Sequence, residues 1–399
     1  MRFDYDILVA GGGLAGMCAA AAFGQSGFSV LCVDPTPPVT ERDAVGADLR
    51  TTAILQPSRD FLDEIGLWDN LDAEAAALQI MRIVDAGGVE NTPRVIKNFD
   101  AADLGERPFG WNLSNWLLRR ELSAHLAEMP QVDMRFGLGV ARVQTRTEEA
   151  RVTLSDASRH RVRLVIGADG RTSAVRRDAG IGARTMRYGQ KALAFAATHP
   201  IPHDHVSTEI HRSGGPFTLV PLPDYEGRPC SAVVWLERAA EAQRLNGLEE
   251  NAFNAEMSER SCHLFGPLTL VSRRTIWPII SQIADRFDGE RIALIAEAAH
   301  VMPPIGAQGL NTSVGDLRAL HRLAAATPDR LGDAEMLARY NRARWAEVQL
   351  RVAGIDALNR ASMVEAQGLR DLRKTALDAL YGIAPVRKVL MRTGLGALG

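Results

Sequence analysis

Residues 5–34 read YDILVAGGGLAGMCAAAAFGQSGFSVLCVD, and this stretch decides the fold. The apolar run at residues 5–10 predicts a β-strand, a glycine-rich turn follows it, and the alanine-rich stretch at residues 17–23 predicts a helix. A second apolar run ends at Asp34, 18 residues beyond Gly16. Strand, glycine turn, helix and strand ending in an acid form the fingerprint of a dinucleotide-binding βαβ unit.

Each glycine of the G-x-G-x-x-G pattern has its own physical role. Gly11 permits a sharp turn, Gly13 lets the backbone approach a pyrophosphate, and Gly16 lets the helix pack close to the strand. The free N–H groups and positive dipole at the helix start can hold the pyrophosphate without a basic side chain. The acid at the end of the second strand is placed to accept hydrogen bonds from ribose hydroxyls. The residues predicted to bind the dinucleotide are Gly11, Gly13, Leu14, Ala15, Gly16 and Asp34. This fingerprint alone does not distinguish NAD from FAD.

Composition excludes several other classes of protein. The 399 residues carry 46 Lys and Arg against 48 Asp and Glu, so there is no overall basic field to recruit nucleic acid. The four cysteines are scattered without a C-x-x-C pair, which predicts neither a metal site nor a disulfide framework. No apolar stretch approaches the ~18–20 residues that span a bilayer, and the N-terminus lacks the features of a signal peptide. These observations predict a cytoplasmic protein.

Two further segments have the same pattern of a strand followed by a turn and a helix. An apolar strand at residues 161–166 leads into GADGRTSAVR at residues 167–176. A second one, at residues 291–295, leads into AEAAHVMPPIGAQGLN at residues 296–311. An Asp-Gly pair is by itself only a common turn, so its position in this order carries the argument.

The three segments together resemble the single-component flavin-dependent aromatic hydroxylases, the para-hydroxybenzoate hydroxylase-like group, over nearly the whole chain. Within this group the chain looks most like the ubiquinone-biosynthesis hydroxylases. The motifs that carry this closer resemblance are PPIGAQGLN (303–311), LVPLP (219–223), VVW (233–235) and the C-terminal pattern through LMRTGLG (390–396).

The resemblance implies that FAD is the bound dinucleotide. The loop at residues 303–311 would bring backbone N–H groups and a helix start to the pyrimidine edge of the flavin. Glu297 stands where the family has an aspartate that binds ribityl hydroxyls, and Ala296 stands where it has glycine. Alanine tolerates close packing at this position unless its φ is positive. The residues assigned to FAD by the resemblance are Arg50, Asn115, Asp169, Glu297, Pro303, Gly306, Gln308, Gly309, Leu310 and Asn311. His300 is interpreted as a hydrogen-bonded structural residue.

The predicted fold is α/β, with a Rossmann-type FAD-binding domain, an inserted, mainly antiparallel β-sheet substrate domain and a C-terminal helical region. Strand-like runs at residues 192–197, 205–210, 217–222 and 231–236, separated by Gly/Pro-rich turns, predict the inserted sheet. We expect the FAD-binding domain to comprise residues 1–75, 101–185 and 275–335, the substrate domain 76–100 and 186–274, and the C-terminal helices 336–399. By the resemblance, the substrate pocket is lined by Phe217, Val220, Pro221 and Pro304.

The C-terminal segment is rich in basic residues. Residues 369–399 contain six basic and two acidic side chains. Val386, Val389 and Leu390 recur at helical spacing beside Arg387, Lys388 and Arg392, which fits a surface helix. Such a helix either packs on its own protein or contacts anionic lipid as a peripheral membrane element, and the sequence leaves both interpretations open.

The resemblance implies an FAD-dependent monooxygenase that hydroxylates a polyprenylated phenol in ubiquinone biosynthesis. NADPH or NADH would be a transient reductant and O2 a co-substrate. The flavin carries the chemistry through its C4a-hydroperoxide, so no catalytic side chain is assigned. The alternatives are hydroxylation of a soluble phenol, or a non-catalytic flavoprotein or accessory subunit with the same fold. The sequence does not indicate an oligomeric state.

Overall fold

This computed structural model describes residues 3–105 and 107–394, in which runs of strands are separated by helices and the last four helices follow one another. The strands are β1 (Tyr5–Ala10), β2 (Val30–Asp34), β3 (Thr51–Leu55), β4 (Ala76–Leu78), β5 (Ile80–Asp85), β6 (Val95–Asp100), β7 (Gly110–Ser114), β8 (Val132–Phe136), β9 (Val140–Thr145), β10 (Ala150–Leu154), β11 (Arg159–Gly167), β12 (Ala183–Thr198), β13 (Val206–His211), β14 (Pro216–Tyr225), β15 (Arg228–Arg238), β16 (Thr269–Leu270), β17 (Thr275–Ala284), β18 (Asp288–Gly289), β19 (Ile292–Leu294) and β20 (His300–Val301). The helices are α1 (Leu14–Gln25), α2 (Gln56–Glu64), α3 (Asn115–Ala127), α4 (Ala174–Asp178), α5 (Ala239–Asn246), α6 (Glu250–Arg260), α7 (Ala296–Ala299), α8 (Gln308–Ala326), α9 (Ala334–Met363), α10 (Gln367–Gly382) and α11 (Ala384–Gly394).

The N-terminal βαβ unit lies in the middle of an eight-stranded sheet with the strand order β18-β19-β11-β1-β2-β8. β1 runs parallel to both β2 and β11, and β11 runs parallel to β19. The apolar residues Ile7–Ala10 are at most 1% exposed, because β1 is paired on both edges and its side chains pack in the main apolar core. The small side chains of Ala19–Ala22 are equally buried, which lets α1 pack closely on the sheet. The predicted Rossmann-type core is confirmed.

A second sheet of nine strands has the order β20-β17-β12-β15-β14-β13-β5-β6, with β16 beside β12. Its pairs are antiparallel except for β13 and β5, which run parallel. One face packs through Phe195, Phe217 and Trp235 against helices α5 and α6, and Phe253 of α6 is fully buried there. The expected mainly antiparallel sheet is therefore present. The domain boundaries within the chain stay a prediction.

A small sheet, with the order β3-β7-β4, joins the second sheet to α8. The Asn112 amide of β7 donates to the Pro221 carbonyl of β14 at 2.9 Å. On the other side, the Asn311 amide of α8 donates to the Ala53 carbonyl of β3 at 2.7 Å. The small sheet thus lies between β14 of the second sheet and α8, with residues 48–50 directly before β3 and Asn115 directly after β7.

The C-terminal region is helical, as expected. The 30-residue helix α9 packs on the first sheet, and the Tyr340 hydroxyl donates to the Leu294 carbonyl at 2.7 Å. None of the side chains of α10 is buried. Among the described residues, no helix combines the length and the apolar character needed to cross a bilayer. The end of the LMRTGLG pattern and the side chains of Val386 and Leu390 lie outside the described residues.

Candidate functional site

The three glycine- or acid-containing turns lie side by side at the carboxyl edge of the first sheet. They follow β1, β11 and β19, which are neighbours in the strand order. Gly11 has a φ of +107°, and a Cβ there would lie 2.3 Å from the Ala168 carbonyl oxygen of the second turn. The Ile295 amide of the third turn donates to the Gly167 carbonyl at 3.0 Å. This edge of a parallel sheet is where ligands of doubly wound folds bind.

Two glycines of the first turn have different surroundings. A Cβ on Gly16 would lie 1.8 Å from the Gly11 carbonyl oxygen, so only glycine permits this approach of helix to turn. A Cβ on Gly13 would meet no heavy atom of the protein within 4 Å. Helix α1 begins at Leu14 without a side-chain cap, which leaves its first N–H groups for a ligand. The space in front of Gly13 therefore suits a phosphate group.

Asp34 reaches from the end of β2 toward the first turn. Its Oδ2 accepts from the Gly12 amide at 2.7 Å, and its Oδ1 accepts from the Thr36 amide at 2.8 Å. A carboxylate offers about four acceptor positions, so two remain for ribose hydroxyls. Asp34 thus fixes the shape of the turn and keeps free acceptor positions.

In the second turn, Asp169 caps the short helix α4. Its Oδ2 accepts from the Ala174 amide at 2.7 Å, while its Oδ1 is buried without a partner among the described residues. Arg176 of the same helix donates to the Ala298 carbonyl at 2.7 Å and thereby ties the second turn to the third. Burial lowers the pKa of Arg176, and the charge of Asp169 opposes this shift.

The third turn contains a strained alanine. Ala296 has a φ of +53°, the left-handed conformation that favours glycine. A residue with a Cβ is less stable in this conformation by about 1–2 kcal/mol. The replacement of the family's glycine by Ala296 therefore lowers the stability of the folded protein. The next residue, Glu297, is exposed. The hydrogen bond and charge of Asp48, together with the negative charge of Glu297, raise the pKa of the Arg50 guanidinium.

Asp48 organises the residues around Arg50, and the sequence reasoning missed it. Its carboxylate pairs with Arg50 at 2.7 Å and accepts from the Asn115 amide at 3.1 Å. The Thr52 hydroxyl donates to the carbonyl oxygen of the Asn115 side chain at 2.7 Å. Burial raises the pKa of Asp48, but its bonds to Arg50 and Asn115 outweigh burial and lower the pKa below its usual range. The cluster therefore holds Arg50 and Asn115 in fixed orientations beside the third turn.

The loop at residues 303–311 ends in the uncapped start of α8. Ala307, with a φ of +57°, precedes the helix and offers no side-chain cap. Asn311 accepts from the Leu55 amide at 2.9 Å, and Gln308 donates to the Gly394 carbonyl at 2.9 Å, so both side chains are engaged within the protein. Pro304, Gly306 and Gly309 are exposed, whereas Pro303 is buried and Leu310 is half-buried. The groups left for a ligand are backbone N–H groups.

A buried ionic network, which the sequence reasoning also missed, supports this loop from behind. Asp316 is 0% exposed and binds His300 at 2.6 Å and Arg344 at 2.9 Å. Arg344 pairs with Glu347, Glu347 with Arg351, and Arg351 donates to Gln308. Burial raises the pKa of Asp316, but His300 and Arg344 outweigh burial and lower it. His300 is buried and hydrogen-bonded within the protein, which is consistent with the structural role that we inferred from the sequence.

The candidate pocket residues divide between the two faces of the second sheet. Phe217 is 0% exposed and stacks edge-on against Trp235 in the core beneath α5 and α6. This placement corrects its prediction as a pocket residue, because no surface of its ring is left for a substrate. Val220 is half-buried and lies on the opposite face, since side chains alternate along a strand. Pro221 is buried, and its carbonyl accepts from Asn112.

Comparison with known proteins identifies the family. The family model for the FAD binding domain matches residues 4–353 of the chain. The chain belongs to this family. The predicted cofactor is therefore confirmed as FAD, and the enzyme class as FAD-dependent monooxygenase, for which NAD(P)H and O2 are the typical co-substrates.

Relatives of similar length support this assignment. The chain is 33% identical to the ubiquinone hydroxylase UbiL of Rhodospirillum rubrum over 98% of its own length and 90% of that protein. It is 25% identical to the 3-demethoxyubiquinol 3-hydroxylase of Escherichia coli over 98% of each chain. The crystal structure of p-nitrophenol 4-monooxygenase PnpA from Pseudomonas putida has the same fold, with a TM-score of 0.79 at 18% identity over 99% of both chains.

The chemistry of the exposed groups fits FAD. Two uncapped helix starts, those of α1 and α8, offer N–H donors of the kind that a pyrophosphate or the pyrimidine edge of a flavin can accept. Glu297 and the remaining acceptor positions of Asp34 can bind hydroxyls. Neither Gly13 nor Gly309 has protein atoms where a side chain would begin, so a ligand can approach the backbone at both places.

Proposed function

We propose that this protein hydroxylates the aromatic ring of a polyprenylated phenol in ubiquinone biosynthesis, using NAD(P)H and O2. The proposal depends on the similarity of this chain, over nearly its full length, to a ubiquinone hydroxylase. The three turns that follow the neighbouring strands β1, β11 and β19 support it, because they lie side by side. A phenol ring does not react with O2 by means of amino-acid side chains, so the cofactor must supply the oxidising chemistry. FAD supplies it when bound, by accepting electrons from the nicotinamide and activating O2.

In this proposal the protein binds, orients and shields the reactants. The backbone of residues 11–16 would hold the pyrophosphate, and Asp34 the ribose. Arg50, Asn115, Asp169 and Glu297 would line the remainder of the cofactor. The start of α8 would face the pyrimidine edge, where its positive dipole favours the negative charge of a reduced flavin.

The second sheet would form one wall of the substrate pocket. On the face that carries Val220, its cross-strand partner is Ala232, and the partner of Ala232 in the next strand is Ala196. Small apolar side chains leave room for a flat ring and exclude water from the reaction. Pro304, exposed at the end of the loop at residues 303–311, would contact the ring from the cofactor side.

The proposal also covers the organisation and location of the chain. We retain the discontinuous FAD-binding domain, the inserted substrate domain and the C-terminal helices with the boundaries predicted above. A polyprenyl tail gains about 0.8 kcal/mol for each CH2 that it buries in lipid, so its enzyme must meet it at a membrane. We therefore propose a cytoplasmic protein in peripheral contact with the membrane.

The experiment is direct. Purified holoenzyme, given NADPH and a prenylated phenol in detergent micelles, should consume oxygen and form a product heavier by one oxygen atom. The same phenol without its prenyl tail is the matched control and should react more slowly. Oxygen uptake that requires a soluble phenol and ignores the prenylated one would contradict the substrate. Flavin that stays oxidised with every phenol would instead favour a non-catalytic flavoprotein.

A further inference from the structure

Helix α10 turns its apolar side toward solvent. Leu369, Leu372 and Leu380 are 53%, 63% and 47% exposed, and Ile383, directly after the helix, is 53% exposed. With the exposed Ala376 between them, these positions follow one another at steps of three and four residues, so they share one face. A helix that packs on its own protein normally buries such a face. Within the described part of the chain, about half or more of each of these large apolar side chains is left open to solvent.

Another side of α10, which borders the apolar stripe at Arg373, carries charged residues that bind the hairpin of β5 and β6. Arg373 pairs with Asp85 at 2.9 Å, and the Asp85 side chain is only 2% exposed. Arg94 of the hairpin pairs with the same carboxylate at 2.7 Å. Farther along, Lys97 pairs with Asp378 at 2.8 Å. Because removing a cation from a buried carboxylate is strongly unfavourable, these pairs fix the rotation of α10 about its axis. Its apolar stripe must therefore face outward.

The next helix, α11, contacts α10 and carries exposed cations. Lys388 and Arg392 of α11 are exposed, lie four residues apart on one face, and have no ion pair within the described part of the chain. Val389 beside them is 54% exposed. Both acids of α10 are neutralised from the protein side, Asp371 by Arg94 and Asp378 by Lys97. The surface that remains is apolar and positively charged.

We propose that the outward face of α10 and the exposed cations of α11 form a docking surface for an anionic lipid bilayer. An apolar helix stripe accompanied by lysine and arginine is the combination that binds a membrane interface, with the cations at the headgroups. A second copy of the chain is a poorer occupant, because a twofold interface would bring the same cations toward each other. The inference deepens the proposed peripheral contact but does not use the flavin chemistry, so each can fail without the other.

The test is co-sedimentation of the holoenzyme with vesicles in the absence of substrate. We expect binding to vesicles of equal parts phosphatidylcholine and phosphatidylglycerol, weaker binding to phosphatidylcholine alone, and a decrease with added salt. The double substitution Leu369→Asn and Leu372→Asn should weaken binding at least roughly tenfold. The double substitution Lys388→Gln and Arg392→Gln should weaken it roughly thirtyfold.

Matched control variants separate this surface from general changes in polarity and charge. Ile201→Asn removes an apolar side chain of similar exposure, 49%, between β12 and β13. Arg142→Gln with Arg146→Gln removes two exposed charges from the region of β9. Both controls should bind vesicles like the unaltered protein. The proposal is overturned if the protein stays in the supernatant or if the surface variants bind as the controls do. It is also overturned if light scattering shows a lipid-free dimer that the leucine substitutions dissociate.

Discussion

Replacing Gly13 by alanine should weaken FAD binding without destabilising the protein. The backbone at Gly13 has φ −72° and ψ 177°, which any residue adopts, and a Cβ there has no protein atom within 4 Å. The methyl group therefore fits the free protein. Because alanine has fewer conformations than glycine in the unfolded chain, the free energy of unfolding should rise by about 0.4–1 kcal/mol.

The same methyl group occupies the space where the pyrophosphate approaches the start of α1. We expect the loss of at least one hydrogen bond between a backbone N–H and a charged oxygen, worth about 1.5–3 kcal/mol. This loss corresponds to an increase in Kd of roughly 10- to 150-fold. The measurements are a titration of the apoprotein with FAD, followed by flavin fluorescence, and urea unfolding of the apoprotein.

Gly16→Ala is the matched comparison. Its Cβ would lie 1.8 Å from a backbone oxygen, so this substitution should lower the stability of the apoprotein by about 1–3 kcal/mol or more. Gly13→Ala should therefore weaken FAD binding but not stability, whereas Gly16→Ala should lower the stability of the apoprotein itself. A Gly13→Ala protein that binds FAD as tightly as the unaltered chain would refute the placement of the pyrophosphate.

Three further predictions concern the surroundings of the cofactor turns. Asp316→Asn should lower the free energy of unfolding by about 3 kcal/mol at pH 7, because it leaves the buried Arg344 without this partner. The pKa of Asp316 is lowered in the folded protein, so its ionised carboxylate contributes to stability above the unfolded-state pKa of about 3.9. This contribution is lost as the pH falls through the folded-state pKa. The urea unfolding curves of the Asp316→Asn variant and the unaltered protein should therefore converge on acidification. Ala296→Gly should relieve about 1–2 kcal/mol of backbone strain and, after the entropy of the unfolded chain is subtracted, raise stability by up to about 1 kcal/mol; a lower melting temperature would contradict this. Asp48→Asn should remove the ion pair that holds the Arg50 guanidinium in place and raise the Kd for FAD several-fold. An unchanged FAD titration would show that FAD binding does not depend on the orientation of Arg50.

The sequence was most informative where local geometry and chemistry depend on the same residues. The glycines at 11, 13 and 16 make the turn possible, so their spacing predicted both the βαβ unit and the ligand edge. The two later turns were assigned to the same cofactor through the family resemblance, and the structure places them beside the first turn because their parallel strands share a carboxyl edge. Only the βαβ inference needed no more than neighbours in the chain.

Contacts between distant segments could not be predicted in this way. The partnership of Asp48 with Asn115 depends on the antiparallel pairing of β3 and β7, and that of Asp316 with Arg344 depends on how α8 lies against α9. The run LVPLP at residues 219–223, in the same strand as Phe217, is apolar throughout. It therefore has no alternation of polar and apolar residues that would have shown which face of the sheet is buried. Similarly, the sequence predicted a helical C-terminal region but not that the buried carboxylate of Asp85 binds Arg373 of α10.

The pairing of β1 determines the order in which the chain can fold as it is synthesised. β2 is available to it within the first 34 residues, but its other neighbour, β11, begins only at Arg159. Until then, one edge of an apolar strand has no native partner and can pair with other chains. Nascent chains whose residues 159–167 have not yet left the ribosome should therefore depend on chaperones, and the first compact intermediate should form only after β11 has emerged.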